Sequence, residues 1–319
     1  MARPTYDESA IIEVRGLTKS YGQVRAVRGV DLQIARGEVF AMLGPNGAGK
    51  TSTVEILEGY RHRDGGEVRV LGLDPGKQAR LLKQQIGIVL QSTGVEQYLT
   101  VAETLVMYSG YYPHPRPVDE VIELVGLAAK RNVRVVKLSG GQQRRLDVAI
   151  ALAGDPEVLF LDEPTTGFDP SARHEAWDVV KNLAALGKTV LLTTHYMDEA
   201  QNLADRVAVI SEGLIVAEGT PATLAGRDSA RATVTFTLPE GVMPPADLGA
   251  RRMAGGVMEF APEDLTVALH RLTGWALDSS LSLESLRVLR PSLEDVYLQL
   301  TSSTRPALQV DDPSDPSED

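Results

Sequence analysis

Short runs of β-branched and apolar residues alternate with amphipathic stretches over most of the chain, the pattern of a largely parallel α/β sheet. Residues 11–14, 30–34 and 39–43 read as strands, the last two separated by the turn Ala35-Arg36-Gly37. Further strands are predicted at 68–71, 86–90, 158–161, 190–194 and 207–210. Between about residues 92 and 153 the strand signal stops, and 101–108, 118–125 and 142–153 carry helical spacing instead. This predicts an all-helical block inserted between two halves of an α/β core, with the Pro-rich stretch 111–119 as a loop within it.

The pattern changes near residues 226–231, where the composition turns polar. Residues 233–238 alternate β-branched and aromatic side chains, 265–272 are helical, 286–289 strand-like and 293–300 helical again. The Gly- and Pro-rich stretch 239–245 reads as a loop. We therefore expect a first domain over 1–225 and a small α+β domain over 226–302. Residues 303–319, rich in Asp, Ser and Pro, predict a disordered acidic tail.

Composition narrows the classes. The 319 residues suffice for two domains, and 43% hydrophobic with 24% charged residues is ordinary for a soluble globular protein. There is no cysteine, so neither disulfides nor thiolate metal sites exist. The N-terminus lacks a basic stretch followed by an apolar one, so no secretory signal is expected. The apolar runs fall far short of a bilayer span. If the protein works on a membrane, it is expected to dock onto something that crosses it. A net charge of −11 argues against nucleic acid as a partner.

Candidate chemistry is concentrated in two places. Gly44, Pro45, Asn46, Gly47, Ala48, Gly49, Lys50 and Thr51, with Ser52 following, fit the phosphate-binding loop G-x-x-x-x-G-K-[ST] between a strand and a helix. Its fixed positions arise by accident in roughly 1% of chains this long, and the strand–loop–helix setting lowers that further. Backbone amides and the helix N-terminus suit the phosphates of ATP. Lys50 is expected at the β- and γ-phosphates and the Thr51 hydroxyl at Mg²⁺. The strand 158–161 runs into Asp162 and Glu163. Alternate side chains on a strand diverge, so Asp162 is assigned to the metal and Glu163 to the attacking water as general base.

The run Leu138-Ser139-Gly140-Gly141-Gln142-Gln143-Arg144-Arg145-Leu146 resembles the signature sequence of ABC ATPases. Ser139, Gly140 and Gly141 at a helix N-terminus make a second anion platform, for which the chain has no phosphate of its own. It is explained if two subunits face head to tail, each signature, Gln142 included, closing on the partner's ATP. The resemblance covers about residues 10–225. It implies a phosphate-loop NTPase core with an antiparallel β element, and a helical subdomain at about 92–153. It further implies Gln91 as the glutamine touching Mg²⁺ and taking part in hydrolysis, and Asp169 at the dimer interface. His195 would be the switch histidine at the γ-phosphate. Phe168 stands where the family usually has Leu. Tyr21 matches the aromatic that stacks on adenine, with a buried core tyrosine as the competing reading.

The helical block is compact, without heptads, and there is one cassette, which disfavours the repair, chromosome and translation branches. Residues 194–200 and 290–298 resemble the daunorubicin-resistance subgroup of bacterial drug exporters, whose ATPase and permease are separate chains. That resemblance implies a homodimer across two ATP sites and a separate transmembrane permease. It places the chain at the cytoplasmic face of the cell membrane, exporting drug or lipid-like cargo. The alternative is a soluble, non-transport ABC ATPase acting as a mechanical switch on a protein partner.

Overall fold

The computed structural model describes residues 10–89, 94–226, 232–239, 241–289, 293–295 and 297. Gln91, the proposed acidic tail and most of 290–298 lie outside the described residues. The chain separates into two compact units, the first running to Pro221 and the second from Ala222 to Gln299.

In the first unit, β1 (Ala10–Tyr21) and β2 (Val24–Ala35) form a hairpin in which Tyr21 pairs with Val24. β4 (Gly65–Val70) lies antiparallel on the other edge of β1. Both hairpin strands run well beyond the predicted 11–14 and 30–34. Their distal halves are partly exposed, so the apolar alternation fades while the hydrogen-bonded ladder continues.

The second sheet is ordered β5 (Ile86–Val89), β6 (Val158–Asp162), β7 (Thr189–Thr194), β3 (Val39–Leu43), β8 (Arg206–Ser211), β9 (Leu214–Gly219). Its strands are parallel except β9, which returns antiparallel on β8. β3 and β7 are buried along their whole length, as central strands covered on both faces must be. Phe40, Phe160 and Leu191 share one core with Ile12, Leu17 and Ile34 of the first sheet. Each such side chain contributes about 1.5–3 kcal/mol through burial. β9 was not expected, since Leu214–Gly219 is only partly buried and carries no clear alternation.

Seven α-helices lie among the first unit's described residues: α1 (Lys50–Leu57), α2 (Pro75–Leu82), α3 (Val101–Ser109), α4 (Val118–Leu124), α5 (Gly140–Leu152), α6 (Pro170–Ala185) and α7 (Met197–Leu203). α3 to α5 follow one another without an intervening strand. Their starts are chemically marked: Thr100 and Glu103 form a reciprocal capping box on α3, and Asp169 with Pro170 opens α6.

In the second unit, β10 (Thr233–Thr237), β11 (Arg251–Arg252), β12 (Val257–Phe260) and β13 (Glu284–Leu289) make an antiparallel sheet ordered β11–β12–β10–β13. α8 (Leu265–Asp278), capped by Asp264, is in the same unit, and its Leu272 joins the core of Val234, Phe236, Met258 and Phe260. The rings of Phe236 and Phe260 meet edge-on at 6.3 Å. β12 is only four residues long, with Met258 and Phe260 buried, too short a run for the alternation to stand out in sequence. No helix among the described residues is long and apolar enough to cross a membrane.

Candidate functional site

The site grows from the C-terminal ends of β3, β6 and β7, the edge at which parallel α/β sheets present their loops. β3 delivers the chain into residues 44–49, which wrap back into α1. Gly49 occupies the N-cap at φ 106°. A β-carbon there would sit 2.4 Å from the carbonyl oxygen of Ala26, and one on Gly44 would sit 2.4 Å from that of Ile210. Both positions require glycine on grounds of space, and Gly49 also on backbone conformation. No side chain caps α1, and no acidic residue stands in its first turn. Its leading amides and dipole are therefore available to an anion.

A cleft of about 430 Å³ opens over this loop, lined by Asn46, Lys50 and Thr51 on one side, Asp162 and Glu163 on another, and Tyr21 at its rim. Pro45, Gly47, Gly49 and Ser52 also face it, whereas Gly44 and Ala48 are buried beneath. Lys50 is 5% exposed, and its Nζ donates to the carbonyls of Gly44 (2.7 Å) and Pro45 (3.2 Å). Burial lowers its pKa, and the carboxylates of Glu163 and Asp162 oppose that shift. The Tyr21 ring is 39% exposed, so it is not a core residue. Its hydroxyl lies 3.2 Å from Ser52 Oγ, and the Arg61 guanidinium is 5.2 Å from its ring centre.

Asp162 is the last residue of β6 and accepts a 2.5 Å hydrogen bond from Thr193 Oγ1 on β7. Glu163 does not continue the strand. Its backbone turns to φ 45°, the left-handed region a non-glycine residue rarely adopts. A turn therefore separates the two carboxylates, where the sequence suggested strand alternation. Glu163 N donates to the backbone oxygen of Thr193 at 3.1 Å, and Thr166 Oγ1 donates to Glu163 Oε2 at 3.0 Å. Glu163 Oε1 faces Lys50 Nζ at 4.0 Å and His195 Nδ1 at 3.2 Å. The His195 contact is close but lacks hydrogen-bond alignment. Lys50, Asp162 and Glu163 are thus brought together around one cleft, and His195 stands beside Glu163.

The other anticipated residues are placed elsewhere. Ser139 caps α5, with its Oγ accepting from Gln142 N at 3.3 Å and Gln142 Oε1 accepting from Ser139 N at 3.1 Å. Ser139, Gly140, Gly141 and Gln142 do not line the cleft of their own chain. Asp169 is exposed and caps α6, accepting from Ala172 N at 2.8 Å. Thr193 and Thr166, which hold the two carboxylates, were not anticipated. The only trace of Thr193 in the sequence is the Thr-Thr-His run ending β7.

A family profile described as ABC transporter matches residues 27–166, and one described as the C-terminal domain of ABC transporter domain-containing proteins matches 232–292. The chain is 38% identical over 306 residues to the Nod factor export ATP-binding protein I of Burkholderia orbicola (strain AU 1054), covering 92% of this chain and 97% of that one. The protein of the same name from Rhizobium etli is 38% identical over 307 residues, covering 91% and 93%. Among solved structures, the ADP conformation of MJ1267, an ATP-binding cassette of an ABC transporter, superposes with a TM-score of 0.61 at 26% identity. It covers 66% of this chain and 91% of its own. The dimeric structure of MJ0796, a bacterial ABC transporter cassette, gives 0.57 at 26% identity, covering 66% and 98%.

Proposed function

This chain belongs to the ABC transporter ATP-binding family and is the ATP-hydrolysing component of an exporter; from that premise we propose how its residues divide the work. The observation that carries the proposal is the convergence of Lys50, Asp162 and Glu163 on the cleft above the uncapped N-terminus of α1, with His195 against Glu163. The amides of residues 45–51 hold the phosphates of ATP. Lys50 exchanges its bonds to Gly44 and Pro45 for the β- and γ-phosphates, whose charge offsets the cost of its burial. Tyr21 lies under the base.

Thr51 and Asp162 offer hard oxygen donors on the same cleft, a set that suits Mg²⁺ shared with substrate phosphates. Those two residues, with Gln91, would hold the ion, which when bound neutralises charge on the transferring phosphoryl group. Glu163 orients a water and accepts its proton, while Thr166 and the Thr193 backbone fix the direction of the carboxylate. His195 reads the γ-phosphate from the opposite side of Glu163.

Two copies close head to tail on two ATP molecules, with Ser139, Gly140, Gly141 and Gln142 of each completing the other's site and Asp169 at the seam. The dimeric MJ0796 structure supports such pairing of cassettes. ATP binding favours the closed state and hydrolysis releases it. The permease is a separate polypeptide, and through it this chain sits at the cytoplasmic face of the membrane.

Relatives aligned over nine-tenths of the chain are named for export, which favours the transporter over a non-transport mechanical switch. Placement in the daunorubicin-resistance subgroup, with drug or lipid-like cargo, rests on the resemblance of residues 194–200 and 290–298. The test is recovery of the Glu163→Gln protein with ATP from detergent-solubilised membranes. A polytopic membrane protein in stoichiometric amount is expected. ATP-dependent recovery of soluble proteins alone would overturn the exporter reading.

A further inference from the structure

α5 carries the signature residues at its first turn, and one turn deeper it carries Arg144, whose guanidinium is nearly enclosed at 8% side-chain exposure. That guanidinium reaches out of the helix to the turn that follows β6. Its Nε donates to the carbonyl of Pro164 at 3.0 Å and its Nη2 to the carbonyl of Asp162 at 3.1 Å. Its Nη1 lies 3.6 Å from Asp147 Oδ2, a carboxylate one turn along the same helix. The two carbonyls it holds flank Glu163, the residue whose backbone sits at φ 45°.

A left-handed glutamate persists only where its surroundings over-determine it. Here the Thr193 backbone holds one side of the turn, and Arg144 holds the carbonyls of Asp162 and Pro164, the residues before and after Glu163. Arg144 borders a cleft of about 260 Å³ lined by α5, by Val95, Gln97 and Val135, and by Glu163, Thr166 and Phe168. The packing between helix and turn is therefore open there, and the Arg144 bonds span it. Burying a guanidinium is costly, and burial lowers its pKa, while Asp147 beside it opposes the shift. A planar fork that reaches two carbonyls and a carboxylate at once is a task for which lysine is a poor substitute.

We propose that Arg144 is a positioning residue for hydrolysis, tying the Asp162–Pro164 turn to the helix that begins at Ser139. Seating of Ser139 on the partner's nucleotide then moves α5, and through Arg144 it sets the aim of Glu163 in the chain's own site. The two ATP sites of a dimer are thereby coupled within each subunit as well as across the seam. This inference rests on the reading of Glu163 as the group that activates water.

The experiment is a double-mutant cycle on the full-length chain, measuring single-turnover ATP hydrolysis and equilibrium ATP binding for the unaltered protein, Arg144→Gln, Glu163→Gln and the pair. Arg144→Gln is expected to slow hydrolysis roughly 10- to 100-fold, as a small misplacement of a catalytic group does. ATP affinity should stay within about twofold. In the Glu163→Gln background the same change should have no further effect, because a residue acting through Glu163 has nothing left to aim. Arg144→Lys, which keeps the charge, should recover part of the rate, and it serves in the cycle if the glutamine variant does not fold. An unchanged rate, a parallel loss of ATP affinity, or an equal proportional loss in the Glu163→Gln background would overturn the proposal. Normal hydrolysis by Glu163→Gln would overturn the role of Glu163 itself, a distinguishable failure.

Discussion

His195 Nδ1 stands 3.2 Å from Glu163 Oε1 without the alignment of a hydrogen bond, so no hydrogen bond between them orients either side chain. The carboxylate is fixed from elsewhere, by Thr166. The imidazole rests against Tyr196, ring centres 4.1 Å apart. Removing His195 should therefore leave Glu163 standing. His195→Ala is expected to slow turnover roughly 10- to 100-fold. It should change stability by about 1 kcal/mol or less, as read from thermal unfolding. A collapse in stability matching the loss of turnover would show that the histidine is a structural support.

Glu163→Gln keeps the volume and the acceptor for Thr166 but removes the base. Turnover should fall by about 10²- to 10⁴-fold. ATP affinity should be retained, and an ATP-dependent dimer should accumulate in size-exclusion chromatography. A variant that remains monomeric with ATP, or that turns over normally, contradicts the assignment.

Tyr21 offers an exposed ring at the rim of the cleft, with its hydroxyl beside Ser52. If the ring stacks on the base, Tyr21→Phe should be nearly silent. Tyr21→Ala should raise KM by up to about tenfold with kcat little changed. Comparing ATP with inorganic triphosphate sharpens the result, because only the nucleotide should respond.

Glu58, at the end of α1, is 3% exposed. Its pKa is raised to about 8, chiefly by burial, with Asp162 and Glu55 adding to the shift and Lys83 opposing it. The fold keeps this carboxyl protonated over a range in which the unfolded chain has released the proton. Between about pH 4.5 and about pH 8 the native state therefore binds more protons than the unfolded one, and stability falls as pH rises. The slope approaches about 1.4 kcal/mol per pH unit at most. Glu58→Gln should flatten that part of the curve, and thermal midpoints taken across the range measure it directly.

Much of this architecture was legible in the chain because its signals are local. The phosphate loop needs only eight consecutive residues, and β3, β6 and β7 announce themselves as short apolar runs. β9 and β12 were not legible, because β9 is partly buried without alternation and β12 is only four residues long, too short for its alternation to stand out. In the site, the residue types were readable and their support was not. Thr193 meets Asp162 because β6 and β7 pair in that register, 31 residues apart in sequence. Arg144 meets the turn around Glu163 across 18 and 20 residues.

The glycines of the loop carry a consequence for genetics. At Gly44 and Gly49 the obstacles at 2.4 Å are main-chain oxygens, of Ile210 and Ala26, and every amino acid at those two positions would supply the same oxygen. A clash with a side chain can be relieved by trimming that side chain elsewhere in the gene. A clash with the main chain cannot. In a selection for suppressors of Gly49→Ala, restored export should come from reversion at codon 49, and changes at codon 26 should not appear among the survivors.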